Sequence, residues 1–463
     1  MSENESRVPE DRMPDYFLHV TVRHQYGTTK DVPCKVFLPK TLMDKPLLIF
    51  QPTAEQSTTL RHLFEFRVSA EFESGSRHCV LQAPSVYSKG LHQTAWGPGI
   101  KEFSLTGEAW DLTITRRDAT PSTQAGSGTR GFFQFTPNHL LRPEVLIHPH
   151  MDGNIETEEI RPITVTLCNG FALRLRNSFS YSRKDNDEAV LRRDLVAEFD
   201  IALPSDSIFS ALKEIDDLLV LASFAARYRT VCVGFSSSTS DSEFIEHYRR
   251  GIALPANTPK RSEMLYRDLI DTPDFPDFLK AAYENYVQTQ PFDLLKQAIT
   301  YLVPMGERTL ESSFSSLFYG LETLVRVFRH QSKFTRGSAS PLKPPRQDMT
   351  FAKGWQNLCA EYGVDVADLW PVVGTKNGIS LTAVRNRLVH GDIFTPPEGY
   401  ALMAAREHLQ WVLERTILTI LGWPIDRSNV STRILQSMSL IYDFAEDQKR
   451  LEKRVNTAPP IGP

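Results

Sequence analysis

The sequence predicts an α+β protein of more than one domain: a β-rich N-terminal region of sandwich or barrel type, then an all-α helical bundle. Three observations carry this expectation. Short β-branched and aromatic runs, separated by Pro, Gly, Asn and Asp clusters, fill residues 16–203. From Ser207 onward the apolar residues take three- and four-residue spacing, the period of a helix. A chain of 463 residues, 41% of them hydrophobic, is long enough for two or three domains with cores of their own.

Taken in order, residues 1–15 are polar and acidic, lack the apolar stretch of a signal peptide, and are expected to be disordered. Strands are expected at Tyr16–Val22, Cys34–Leu38, Leu47–Phe50, Cys79–Leu81, Leu112–Thr115, Gly131–Phe135, Glu144–Ile147, Ile163–Leu167, Phe171–Leu175 and Leu195–Ile201. Asn169-Gly170 between two apolar runs is the best hairpin signal in the chain. Many short strands at close spacing suit a sandwich or barrel. Phe209, Leu212, Ile215, Leu218, Leu219 and Ala222 then mark a helix, with Pro204-Ser205-Asp206-Ser207 as its capping start. Tyr228–Phe235 is expected to add one strand, and residues 236–275 alternate polar and helical segments as a connector.

Helices follow at Phe278–Val287, Phe292–Leu302, Leu310–Phe328, Phe351–Tyr362, Leu381–His390 and Glu398–Leu421, with one more over Gln436–Arg454. The expected division is therefore 1–15, a β-rich domain at 16–205, a helical connector with an extra strand at 206–289, a bundle at 290–425, and a helix and tail at 426–463.

Net charge of −4 gives no global basic signature, so a nucleic-acid partner would have to meet a local patch. Cys34, Cys79, Cys168, Cys232 and Cys359 are odd in number, far apart and without C-x-x-C, which argues against a disulfide framework or a cysteine-rich zinc site. The most apolar run, near Leu218–Ala226, is too short to span a bilayer. A soluble, reducing, cytoplasmic setting with no membrane partner is the expectation. Walker-type phosphate loops, H-E-x-x-H and G-x-S-x-G are missing, so ATP hydrolysis, zinc proteolysis and serine-hydrolase chemistry have no sequence support.

The chemistry-bearing stretch is residues 380–391, Ser-Leu-Thr-Ala-Val-Arg-Asn-Arg-Leu-Val-His-Gly. Leu381, Val384 and Leu388 form an apolar helical stripe, and Gly391 with Pro396-Pro397 stops the helix. His390 falls at the negative end of the helix dipole. Asn386 lies about 40° round the helix from His390, so both can face one ligand, whereas Arg385 lies about 140° away and must reach by length or across a helix pair. A fixed cation, an amide and an imidazole together suit phosphate chemistry.

Arg385-Asn386-x-x-x-His390 resembles the Arg-x(4–6)-His signature of HEPN domains, small helical bundles that include metal-independent ribonucleases of bacterial defence systems. The same spacing recurs at Arg142 and His148, but Pro143 and the β-like run after it place that copy outside a helix. Around Arg385, the Asn that follows it, the preceding apolar helix Leu317–Val325 with its embedded Glu322, and the long following helix are similar to the ApeA-like HEPN branch of anti-phage proteins. The resemblance covers residues 290–425.

What the resemblance implies is an endoribonuclease of anti-phage defence, working by abortive infection and needing no cofactor or metal. It would cut RNA, either tRNA or single-stranded RNA. The RNA 2′-hydroxyl would attack, leaving 2′,3′-cyclic phosphate and 5′-hydroxyl ends. His390 would move the proton, Arg385 would stabilise charge on the scissile phosphate, and Asn386 would orient one of them. One such site per chain gives one imidazole, which implies a homodimer through the bundle, since an acid and a base are both wanted. Glu322 is expected to pair, because an unpaired charge on an apolar face is costly, and the resemblance names Arg385 as its partner, by similarity to the acidic residue many HEPN domains keep on this helix; an ordinary half-exposed helix carboxylate is the other reading.

Residues 326–353 hold Arg326, Arg329, Lys333, Arg336, Lys343, Arg346 and Lys353 against one acid, and Pro341, Pro344 and Pro345 make the middle a loop. These residues, with Arg387, are the RNA-gripping candidates; a solubilising insertion is the plainer reading of the same charges. His148, His150 and Asp152 alternate along a strand end as metal ligands would, but Asp152-Gly153 is also an ordinary turn, and no metal is expected. The β-rich region is expected to sense or recruit, with a phage-derived activator as its partner. The competing class is a non-catalytic HEPN module for RNA binding or dimerisation, with the β domain as the sensor.

Overall fold

The computed structural model describes residues 12–39, 44–96, 100–118, 131–149, 155–161, 163–167, 170–183, 189–200, 204–240, 243–249, 268–303, 309–330, 333–337, 349–374, 379–395, 398–439 and 443–457. They form two compact units. One takes in the described residues of Met1–Pro137, Leu141–Ile215 and Val231–Ile252; the other those of Asn138–Leu140, Asp216–Thr230 and Ala253–Pro463.

The first unit is built on one antiparallel sheet. Its strands are β1 (Tyr16–His24), β2 (Gly27–Phe37), β3 (Leu47–Phe50), β4 (Glu65–Ser74), β5 (Arg77–Trp96), β6 (Ile100–Asp118), β7 (Gly131–Phe135), β10 (Ile163–Thr166), β11 (Ala172–Arg183), β12 (Ala189–Phe199), β13 (Cys232–Ser238) and β14 (Glu243–Arg249), with β8 (Glu144–Pro149) and β9 (Ile155–Arg161) as a separate hairpin. A short helix, α1 (Ala54–Leu60), starts on a capping box in which Thr53 and Gln56 satisfy each other's backbone N–H. The order β6-β3-β2-β1-β4-β5 closes on itself because β5 also pairs with β6, from Arg77↔Asp118 to Trp96↔Ile100. That ring is a barrel, and closure removes its edges. Inward residues alternate along β1 and β4, where Leu18, Val20 and Val22, and Phe66 and Val68, share one buried core with Phe50. β6 also carries β14 on residues 111–117, and β13, β7, β12, β11 and β10 extend the sheet from there.

The expected strands are present, Glu144–Ile147 within the separate β8–β9 hairpin and the others in the sheet, and Leu47–Phe50 and Gly131–Phe135 coincide with them to the residue. The β10–β11 hairpin is present, with Leu167 N donating to Phe171 O (2.8 Å) and Gly170 in the left-handed region at φ 80°; Asn169 lies outside the described residues. Two expectations are corrected. The added strand runs Cys232–Ser238 rather than Tyr228–Phe235. A second strand, β14, stands inside 236–275 where helical segments were expected, because Phe244 through Tyr248 pair with Leu112–Arg116 of β6. Residues 1–11 of the expected disordered stretch lie outside the described residues, whereas Asp15 N donates to Val36 O (2.9 Å).

The second unit is helical. It contains the end of α2 (Ser205–Ala226), then α3 (Phe275–Gln288), α4 (Phe292–Leu302), α5 (Leu310–His330), α6 (Phe351–Tyr362), α7 (Leu381–Val389), α8 (Glu398–Ile420), α9 (Thr432–Ser439) and α10 (Phe444–Thr457). α8 is buried along nearly its whole length, so it is the bundle's central helix, with α4, α5, α6 and α10 packed on it. Its buried charges are paired. Glu414 is fully buried and takes Arg227 Nε (2.7 Å) and Nη2 (2.6 Å), while Arg415 grips Asp368 through Nη1 (2.5 Å) and Nη2 (2.8 Å). Gly320 lets α5 approach closely: a Cβ there would lie 2.8 Å from Leu413 of α8 and 3.3 Å from the Ala298 carbonyl of α4.

The single tail helix expected over Gln436–Arg454 is two helices. Asp443 starts a new one by accepting from Glu446 N through Oδ1 (3.0 Å), which is an N-cap in place of a continuing turn. Among the described residues no helix is long and apolar enough to cross a membrane.

Candidate functional site

The site stands on α7 and the middle of α5. Ser380 caps α7, its hydroxyl accepting from Ala383 N (3.3 Å), and Leu381 and Val384 bury the helix's inner stripe. The stop is a Schellman motif: Asp392 N donates to Arg387 O and Gly391 N to Leu388 O, both at 3.1 Å, with Gly391 at φ 85°. His390 is thereby fixed as the C-cap residue, its own N–H donating to Asn386 O at 3.1 Å. Asn386 and His390 are both exposed, one turn apart. Val389 (52% exposed) and Ile393 (75%) flank His390, apolar side chains left in solvent beside the polar pair.

Arg385 faces the other way, toward α5. Its Nη2 donates to Glu322 Oε1 at 3.1 Å, and its guanidinium carbon lies 5.7 Å from the centre of the Phe318 ring. Nη1 reaches Asn386 Oδ1 at 3.5 Å, the outer limit of a hydrogen bond. The pairing of Glu322 with Arg385 is thus present, across 63 residues of chain. Phe318 carries no signal of its own in the sequence, although it sits four residues before Glu322 and so on the same helix face. A guanidinium has five N–H donors, and the Arg385 side chain stays 27% exposed, so donors remain for a ligand after Glu322 is served.

The other named residues scatter. Arg326 is exposed on α5, one turn beyond Glu322. Arg329 belongs to the last turn of α5, and Arg336 to a two-residue strand paired with Thr289. Lys333 is exposed and pairs with Glu361 at 3.1 Å. Lys343 and Arg346 lie outside the described residues, as do Pro341, Pro344 and Pro345. Arg387 is turned inward: it is 9% exposed, and its Nη2 donates to the Val455 carbonyl (2.7 Å), which ties α10 to α7.

His148 is in strand β8, so the copy of the motif at Arg142 and His148 is indeed not helical; His150 and Asp152 lie outside the described residues. Among the described residues no three His, Cys, Asp or Glu side chains gather as a metal site.

Chemically, the arrangement presents a charge-paired, ring-supported cation on one helix with an exposed amide and an exposed imidazole at the same helix end. No family model matches the chain, and neither a curated protein nor a solved structure matches it.

Proposed function

We propose that the helical unit is a metal-independent endoribonuclease of the HEPN type, working as a homodimer in the cytoplasm as part of anti-phage defence. The observation that carries this reading is the clamp on Arg385: Glu322 and Phe318 fix its guanidinium, while Asn386 and His390 stand exposed on the same short helix. The defence setting rests on the resemblance of residues 290–425 to ApeA-like proteins.

In this reading the imidazole of His390 takes the proton of the attacking 2′-hydroxyl. Arg385 stabilises negative charge gathering on the phosphate oxygens, and Asn386 holds the phosphate or the imidazole by its amide. The RNA brings its own nucleophile, so no metal-bound water is required. The second imidazole comes from a second copy of the chain, and the exposed Val389, Ile393 and Tyr319 supply apolar surface of the kind that interfaces cover. Bulk tRNA and single-stranded RNA are the substrates to test.

The experiment is cleavage of both RNAs by purified protein in excess EDTA, beside His390→Ala. Fragmentation by the wild type alone supports the enzyme. An inert wild type that binds RNA, is not toxic when overexpressed, and is unchanged by His390→Ala favours the non-catalytic module.

A further inference from the structure

The outer wall of the barrel carries a cleft of about 680 Å³ lined by Arg23, His24, His62, Phe64, Glu65 and Arg67, among others. Arg23 on β1 and Arg67 on β4 are directly opposite each other in the register, and both are exposed. Directly opposed residues project from the same face, and like charges so placed repel. Among the described residues neither guanidinium has an ion-pair or hydrogen-bond partner. The one carboxylate in the lining, Glu65, is engaged by the Ser85 hydroxyl at 2.7 Å.

The backbone shapes this cleft. Between Phe66 and Val68 the pairing of β4 with β5 slips, so Arg67 faces both Pro84 and Ser85, a bulge of the sort that re-aims a side chain. Pro84, which has no N–H to lose from the ladder, also lines the cleft. Beside the arginines stands Phe64, 75% exposed. Its ring meets Tyr87 edge-on at 5.6 Å, and Tyr87 meets Trp110, 44% exposed, at 6.1 Å. An aromatic row therefore leads away from an unpaired basic pair.

We propose that this cleft binds single-stranded nucleic acid, with a backbone phosphate between Arg23 and Arg67 and a base stacked on Phe64. Two forked cations facing one gap match the oxygens of one phosphate. An exposed ring beside them offers the flat face on which any base stacks, and the row through Trp110 continues the track for a neighbouring nucleotide. Neither interaction uses the 2′-hydroxyl, so DNA and RNA strands bind alike. The inference stands on the first unit's residues and does not depend on the nuclease reading.

The test is fluorescence anisotropy of a short labelled single-stranded DNA of mixed sequence, titrated with the full chain at several salt concentrations. DNA is chosen because it offers no nucleophile for cleavage. Affinity is expected to fall with salt, and the slope should be shallower in Arg23→Ala/Arg67→Ala by about 0.7 for each phosphate that is no longer neutralised. That variant is expected to bind at least about tenfold more weakly, and Phe64→Ala about tenfold more weakly with its salt slope unchanged. All three substituted residues are exposed, so melting curves matching the wild type are the control for folding. The proposal is overturned if the wild type does not bind, or if either the arginine or the phenylalanine variant binds unchanged. Free adenosine monophosphate competing as well as the strand would likewise replace a strand site by a nucleotide site.

Discussion

Glu322→Gln keeps the side chain's shape and removes its charge. The pair with Arg385 is 3.1 Å long, but the two side chains are 34% and 27% exposed, so solvent screens it. Its contribution to stability is therefore about 0.5–1 kcal/mol. A loss of that size lowers the melting temperature of a unit this large by roughly 1–4 °C. The catalytic consequence is larger, because position is what Glu322 supplies. Phe318 supports the guanidinium from one side at 5.7 Å, and the Asn386 hydrogen bond is long, so the carboxylate is the one strong directional hold.

Removing a charge-stabilising donor outright costs about 10²–10³ in rate, which is the loss expected for Arg385→Ala. Glu322→Gln leaves the cation present but loosely aimed, and about a tenfold loss is expected. Since Glu322 acts through Arg385, the double variant should be no slower than Arg385→Ala alone. Single-turnover cleavage of RNA by the four proteins reads this directly. Losses that multiply, or a Glu322→Gln protein that melts lower yet cleaves at the wild-type rate, would refute the positioning role.

Three further outcomes follow from the bundle. Gly391→Ala meets no atom within 4 Å, so only the φ of 85° resists it; the expected cost is about 1 kcal/mol, with faster amide exchange at Gly391 and Asp392 and weaker cleavage as His390 loses its cap geometry. Burial depresses the His408 imidazole to about 3, while the unfolded chain takes up that proton near pH 6.5, so stability is lost as pH falls through this window, by about 2 kcal/mol at pH 5. In His408→Phe that acid loss should vanish from the fluorescence of Trp370 and Trp411, whose rings lie 5.0 Å from the imidazole; an unchanged acid slope would contradict it. Arg415→Met leaves the Val430 carbonyl without its buried donor, while Asp368, 20% exposed, keeps its bond from Thr432, so denaturant unfolding of the bundle should show a loss of about 1–3 kcal/mol.

Local pattern carries much of this architecture, and long-range pairing does not show in it. Phe292–Leu302 and Phe351–Tyr362 are helices to the residue because their apolar spacing is helical throughout, and Thr350 caps the second by accepting from Lys353 N. β4 is hidden in the sequence although Glu65–Ser74 alternates, since its outward residues are charged and mask the apolar half. β5 and β6 are legible only in short apolar stretches, Cys79–Leu81 near the start of β5 and Leu112–Thr115 near the end of β6, because the outward-facing residues elsewhere dilute the signal. Barrel closure depends on β5 meeting β6 while β6 meets β3, and no local pattern encodes such a choice.

The same divide separates the two sites. Arg385, Asn386, His390 and Glu322 are legible as residue types at helical spacing. Phe318, four residues before Glu322, is one apolar residue among many on its helix until the Arg385 guanidinium is placed over it. Arg23 and Arg67 become a pair only through the register of β1 against β4, which nothing short of the fold provides.

The central claim is the chemistry at His390, and the ends of the products test it most directly. RNA incubated with the full chain in excess EDTA, then resolved by mass spectrometry, should show 2′,3′-cyclic phosphate and 5′-hydroxyl termini that are absent with His390→Ala. Termini carrying 3′-hydroxyl and 5′-phosphate, or cleavage that survives the loss of His390, would contradict it.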